Sequence, residues 1–107
     1  MLYDVRTYRC KPGSINAHLK LYEEKGWEAQ TRNLGQPALY LVTESGPVNT
    51  YVHIWQYEDA AERAAKRAAM AADPQWQAFM KASADLGALV QQDNQLMVPA
   101  PFFDPKK

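Results

Sequence analysis

The chain has 107 residues, carries 12 basic and 12 acidic side chains, and contains a single cysteine. That length makes one domain, residues 1–107, able to close a core without disulfides or a structural metal. Balanced, interspersed charge leaves nothing to attract a polyphosphate, so nucleic acid is not an expected partner; a lone Cys10 excludes an intrachain disulfide and a cysteine-rich zinc site.

The N-terminal stretch MLYDVRTYRC has no apolar h-region, and no apolar run approaches ~18 residues. Neither a signal peptide nor a membrane span is expected, and the expected location is the cytoplasm. Residues 2–10 alternate as a strand does, with Tyr3, Val5 and Thr7 on one face and Asp4, Arg6 and Tyr8 on the other. KPG at 11–13 ends it. Ile15, His18, Leu19 and Tyr22 then recur at the spacing of an amphipathic helix, with Ser14 as a candidate cap and either an end at Gly26 or a continuation through Trp27.

ALYLVTE at 38–44 reads as a second strand and TYVHIWQY at 50–57 as a third, joined by the turn SGPVN into an antiparallel hairpin. In the third strand Tyr51, His53, Trp55 and Tyr57 share one face, and Val52, Ile54 and Gln56 the other. Asp59 and Glu62 form a capping-box pattern ahead of an alanine-rich helix that runs to Ala72. Asp73 and Pro74 start a further helix, which buries Trp76, Phe79, Met80 and Ser83 and stops at Gly87. A last strand lies within 88–98, and the proline-rich tail at 99–107 is extended.

The order βαββαβ is the ferredoxin-like, α+β arrangement: a four-stranded antiparallel sheet with helices on one face. Its first and third strands are central neighbours. The third strand is rich in large apolar groups on both faces, so the uncovered sheet face is expected to meet a second copy in a homodimer.

Arg6, Tyr8, His53 and Trp55 are then the candidate ligand-binding set, provided the register brings them together on one face. Arg6 would hold an anionic group, Tyr8 would donate a hydrogen bond, Trp55 would stack, and His53 would serve as acid, base or polar anchor. The competing reading makes this face a core or an interface, with Arg6 paired to Asp4, Glu44 or a partner carboxylate and His53 bonded to a backbone carbonyl. Val5, Thr7, Val52 and Ile54 look like plain core. His18 lies on the apolar stripe of the first helix, and two isolated histidines make no metal site. Arg63, Lys66 and Arg67 are expected on a solvated helix face. No cofactor is expected, and no nucleotide-binding or hydrolase motif occurs.

LYDVRTYRCKPG, TESGPVNTYVHIWQYED, AADPQWQAF and PAPFF together resemble the NIPSNAP family, in its order and over about residues 1–103. The resemblance implies a dimeric α+β barrel in a short, single-repeat form, similar in fold to cofactor-independent monooxygenases and haem-degrading enzymes. Vesicular trafficking and mitochondrial signalling, proposed for animal members, are not carried over to a domain in which no targeting segment is visible. Arg6, Tyr8, His53, Trp55 and Trp76 fall in the family's motifs, but the resemblance brings no catalytic set with it. Three functions stay open on the sequence: a small-ligand-binding barrel, a cofactor-free monooxygenase with His53 as its base, and a structural or interaction module.

Overall fold

The computed structural model describes residues 1–106; Lys107, the end of the expected tail, lies outside them. Four strands, β1 (Leu2–Cys10), β2 (Leu39–Val42), β3 (Thr50–Tyr57) and β4 (Leu89–Met97), form one antiparallel sheet in the order β2-β3-β1-β4. Four helices, α1 (Ile15–Lys25), α2 (Trp27–Leu34), α3 (Ala60–Ala72) and α4 (Pro74–Leu86), occupy the two crossovers. The architecture is the expected ferredoxin-like α+β one, with β1 and β3 at its centre. No helix among the described residues is long and apolar enough to cross a membrane.

Local chemistry sets the boundaries. Asp59 caps α3 by accepting a hydrogen bond from the Glu62 amide at 2.8 Å, and Asp73 caps α4 by accepting from the Gln75 amide at 2.9 Å. Gly87 ends α4 in the left-handed conformation, φ 65°. Ser14 departs from expectation: its hydroxyl donates to the Lys11 carbonyl and makes no cap bond.

Helix α2 was not expected. Gly26 ends α1 as expected, its amide donating to the Tyr22 carbonyl, but a second helix starts at once at Trp27, and Gly26 allows a close crossing with α4. A Cβ at this position would sit 2.8 Å from Tyr22 Cδ1 and 3.0 Å from Phe79 Cγ. Only glycine permits that approach. The tail at 99–106 also differs from an extended segment, because the Phe103 amide bonds back to the Ala100 carbonyl in a turn. Its Phe102 is 92% exposed.

The faces of the sheet are the main correction. Direct pairing puts Asp4, Arg6 and Tyr8 on the same side as Trp55, His53 and Tyr51. This polar-aromatic side lies beneath the helices: Trp55 and Tyr57 pack with Leu34 of α2 and Met70 of α3 in the buried core. Val5, Thr7, Val52 and Ile54, expected to be core, lie on the helix-free side and are only half-buried. Leu39 and Leu41 extend that apolar side along β2, at 50% and 48% exposure.

Candidate functional site

A cavity of ≈ 460 Å³ separates the covered sheet face from the helices. Arg6, Tyr8, Tyr51 and His53 form its floor on the two central strands. Tyr22, Gln30 and Tyr40 close one side, while Arg67, Trp76 and Phe79 come down from α3 and α4. The space reaches the surface beside Met80, Ala84 and Gln92, which are exposed members of its lining.

Beneath the floor lies a buried carboxylate. Asp4 is fully buried, and its Oδ2 accepts from Arg6 Nη2 and from Arg63 Nε, both at 3.1 Å. The Arg6–Asp4 pair is one that the sequence suggested; Arg63 was expected in solvent. Arg6 Nη1 also donates to the Tyr8 hydroxyl at 3.0 Å. Burial works against the Arg6 charge, but Tyr8 and Asp4 outweigh it, so the guanidinium is held protonated above its ordinary range. The Tyr8 oxygen receives that bond, which leaves its own O–H proton to donate elsewhere.

The state of His53 follows from one bond. Trp55 Nε1 lies 2.7 Å from His53 Nδ1. An indole N–H only donates, so Nδ1 is the acceptor and a neutral ring carries its proton on Nε2. Burial, reinforced by the Arg6 charge, pushes the imidazolium down to about 3, so the ring is neutral near pH 7. Nε2 is buried and has no hydrogen-bond partner. The ring therefore keeps a buried N–H donor without a partner, while its basic lone pair is held by Trp55. This arrangement suits a polar anchor rather than a base, and it replaces the backbone carbonyl of the competing sequence reading.

His18 is buried, and its Nε2 lies 2.6 Å from the Tyr51 hydroxyl. Its Nδ1 has no partner, and burial lowers its pKa. Among the described residues no group of three or more His, Cys, Asp and Glu side chains converges as a metal site would require. Tyr40 stacks near-parallel on Tyr22, Tyr51 and His53, at interplanar angles of 18°, 17° and 27°. Burial first, then neighbouring tyrosines, raises the pKa values of Tyr22 and Tyr51 well above the phenol range, and burial does the same for Tyr40. These hydroxyls stay protonated.

Of the four sequence candidates, Arg6, Tyr8 and His53 meet at the cavity. Trp55 does not line it; the indole is 1% exposed, sits in the core and orients His53 from behind, so a stacking role toward a ligand does not fit its position. Tyr51 went unselected although it shares a strand face with His53, a signal that alternation carried. Arg67 was assigned to solvent, yet it lies one helical turn after Arg63 and so on the same helix face. Gln30 and Tyr22, whose hydroxyl donates to Gln30 Oε1, meet through the unanticipated α2 and had no local signal.

A family model described as NIPSNAP matches residues 3–104. A solved NIPSNAP-family structure from Agrobacterium tumefaciens is 42% identical with a TM-score of 0.87, covering 98% of this chain and 92% of that one. Protein NipSnap homolog 3A of Homo sapiens is 34% identical over 77 residues, which are 72% of this chain but 31% of the human protein. The chain thus spans under a third of the length of that relative. A solved antibiotic biosynthesis monooxygenase shares the fold alone, at 21% identity and TM-score 0.64, covering 94% of this chain and 100% of that one.

Proposed function

The chain belongs to the NIPSNAP family, and we propose that it works as a homodimeric barrel holding a small organic ligand between sheet and helices in each subunit. The observation that carries this reading is the set of three partnerless polar atoms, Arg6 Nε, His18 Nδ1 and His53 Nε2, buried on residues that line the cavity. Protein interiors satisfy such atoms as a rule, and a ligand would satisfy them here. The ≈ 460 Å³ volume falls within the range of ~300–1,000 Å³ usual for small-molecule sites. In this reading Arg6 takes an anionic group, Tyr8 donates its hydroxyl proton, and His53 anchors through Nε2–H.

The helix-free sheet face supports the dimer. It carries Tyr3, Val5, Leu39, Leu41, Val52 and Ile54 with no helix over them, and a twofold copy buries such a patch at little cost. A cytoplasmic location belongs to the same reading, consistent with a buried, unpaired Cys10. Monooxygenase chemistry has the likeness of fold behind it and no further support, because the nitrogen that would act as base is engaged by Trp55.

Ala84→Trp tests the cavity by filling its mouth from an exposed position. Small organic compounds are expected to raise the melting temperature of the wild type and to lose that effect in Ala84→Trp. The reading fails if no compound in a diverse set stabilises the wild type, or if every shift survives the substitution.

A further inference from the structure

The charged groups that line the cavity are Arg6 and Arg67; no Asp or Glu is present among the described residues of its lining. Asp4 lies behind Arg6 and already serves Arg63 as well. Two guanidinium groups therefore share one carboxylate, and Arg67 has no ion-pair partner among the described residues. The uncommitted polar groups lean the same way. Tyr8 keeps a hydroxyl proton, and the His53 Nε2–H has no acceptor. A site with one spare cation and spare donors favours a ligand that brings acceptors and negative charge.

The remaining walls are aromatic from two directions, Tyr40 and Tyr51 from the sheet and Trp76 and Phe79 from α4. Aromatic walls favour a flat ring system, since they offer large contact area and fixed stacking geometry. We propose that the ligand is a planar organic acid, its oxyanion held by Arg6 and Arg67 and its ring system lying among these four aromatic side chains. The inference rests on the ligand-binding reading and adds the chemical class. Arg6 is fixed by Asp4 and Tyr8 and keeps an Nε–H without a partner, and Arg67 is a half-buried member of the same lining.

Two probes of matched shape separate the inference from the reading beneath it: 2-naphthoate and its neutral counterpart 2-naphthamide. Their affinities are compared by calorimetry for the wild type, Arg67→Gln and Ala84→Trp. The wild type is expected to prefer naphthoate by about tenfold or more, the scale of one charge-assisted contact. Arg67→Gln is expected to lose most of that preference and keep its naphthamide affinity, and Ala84→Trp to bind neither probe. Equal affinity of both probes for the wild type, abolished by Ala84→Trp, would leave the ligand-binding reading standing and overturn the acid assignment. A preference unchanged in folded Arg67→Gln would overturn it too. Binding of neither probe would remove both the inference and the planar-ligand cavity on which it stands. If Arg67→Gln does not fold, the wild-type ratio of the two affinities alone decides between an acid and a neutral ligand.

Discussion

The two faces of this sheet invert the usual expectation. The face under the helices carries Asp4, Arg6, Tyr8, Tyr51 and His53, while the face without helices carries Tyr3, Val5, Leu41, Val52 and Ile54. Alternation in a strand divides side chains between two faces but does not say which one the helices cover. Helices cover the polar face here, and its packed part is tied by ion pairs and hydrogen bonds, Asp4 Oδ2 by two arginines, His53 Nδ1 by Trp55 and His18 Nε2 by Tyr51, while Asp4 Oδ1 and the Tyr57 hydroxyl stay without a partner. Where it is not packed, a cavity remains. The other face is apolar along β2 and β3 and polar along β4, where Gln91 donates to Asp93, and its apolar part is suited to a second copy. In the proposed reading the polar interior holds the ligand and the apolar exterior meets the second copy.

The largest effect that should expose this difference is Asp4→Ala. It removes the one carboxylate beneath Arg6 and Arg63 and leaves buried positive charge uncompensated, for a loss of about 3–5 kcal/mol in urea unfolding. A loss below about 1 kcal/mol would mean that the covered face does not depend on its ion pairs.

Acid should act next, and on the covered face alone. His53 is held near 3 in the folded protein against an ordinary 6.5, so the unfolded chain binds the extra proton. Its contribution to stability is therefore present above about pH 6.5 and lost as pH falls toward 3. Between pH 6.5 and about 4.5 the loss is on the order of 2–3 kcal/mol. His18, also lowered by burial, adds in the same direction. Hydrogen bonds from Arg32 and then Asn33 pull Asp73 down to about 2, so its contribution disappears at lower pH, outside this window. His53→Asn keeps an acceptor for Trp55 and has no titrating proton. The variant should lose most of the slope in denaturation curves taken across this pH range; an unchanged slope would show that His53 is not the group responsible.

The smallest effect belongs to the free face. Leu41 is 48% exposed, so Leu41→Ser should lower the unfolding free energy of an isolated subunit by about 0.5 kcal/mol. A loss of several kcal/mol at concentrations where only monomer is present would place Leu41 in a core, against the division of faces drawn here.

Much of the fold was legible because its signals are local. Strand alternation, the Asp59 and Asp73 caps and the Gly87 stop each act within a few residues and needed no tertiary context. The β1–β3 neighbourhood also followed from the βαββαβ order, but the register that puts Arg6, Tyr8 and His53 on one side came only with the strand pairing. The rest depends on distant partners. Asp4 meets Arg63 across 59 positions and His18 meets Tyr51 across 33, and nothing local marks either pairing. Trp55 was placed on the correct face but assigned to the ligand, because alternation cannot separate a cavity wall from the packed core two residues away. Helix α2 was missed because Gly26 reads as a stop; it does end α1, but it also lets Tyr22 and Phe79 approach the backbone, and the chain turns helical again at Trp27.

The most direct test of the two-face account is a titration of 2-naphthoate into the Ile54→Lys variant, with sedimentation run in parallel. A lysine in the middle of the helix-free face should leave the subunit folded and monomeric. All the cavity residues named here come from one chain, so the monomer is expected to bind with a Kd within about threefold of the wild-type value. A folded monomer that no longer binds, or a variant that remains a dimer, would contradict the division of labour between the two faces.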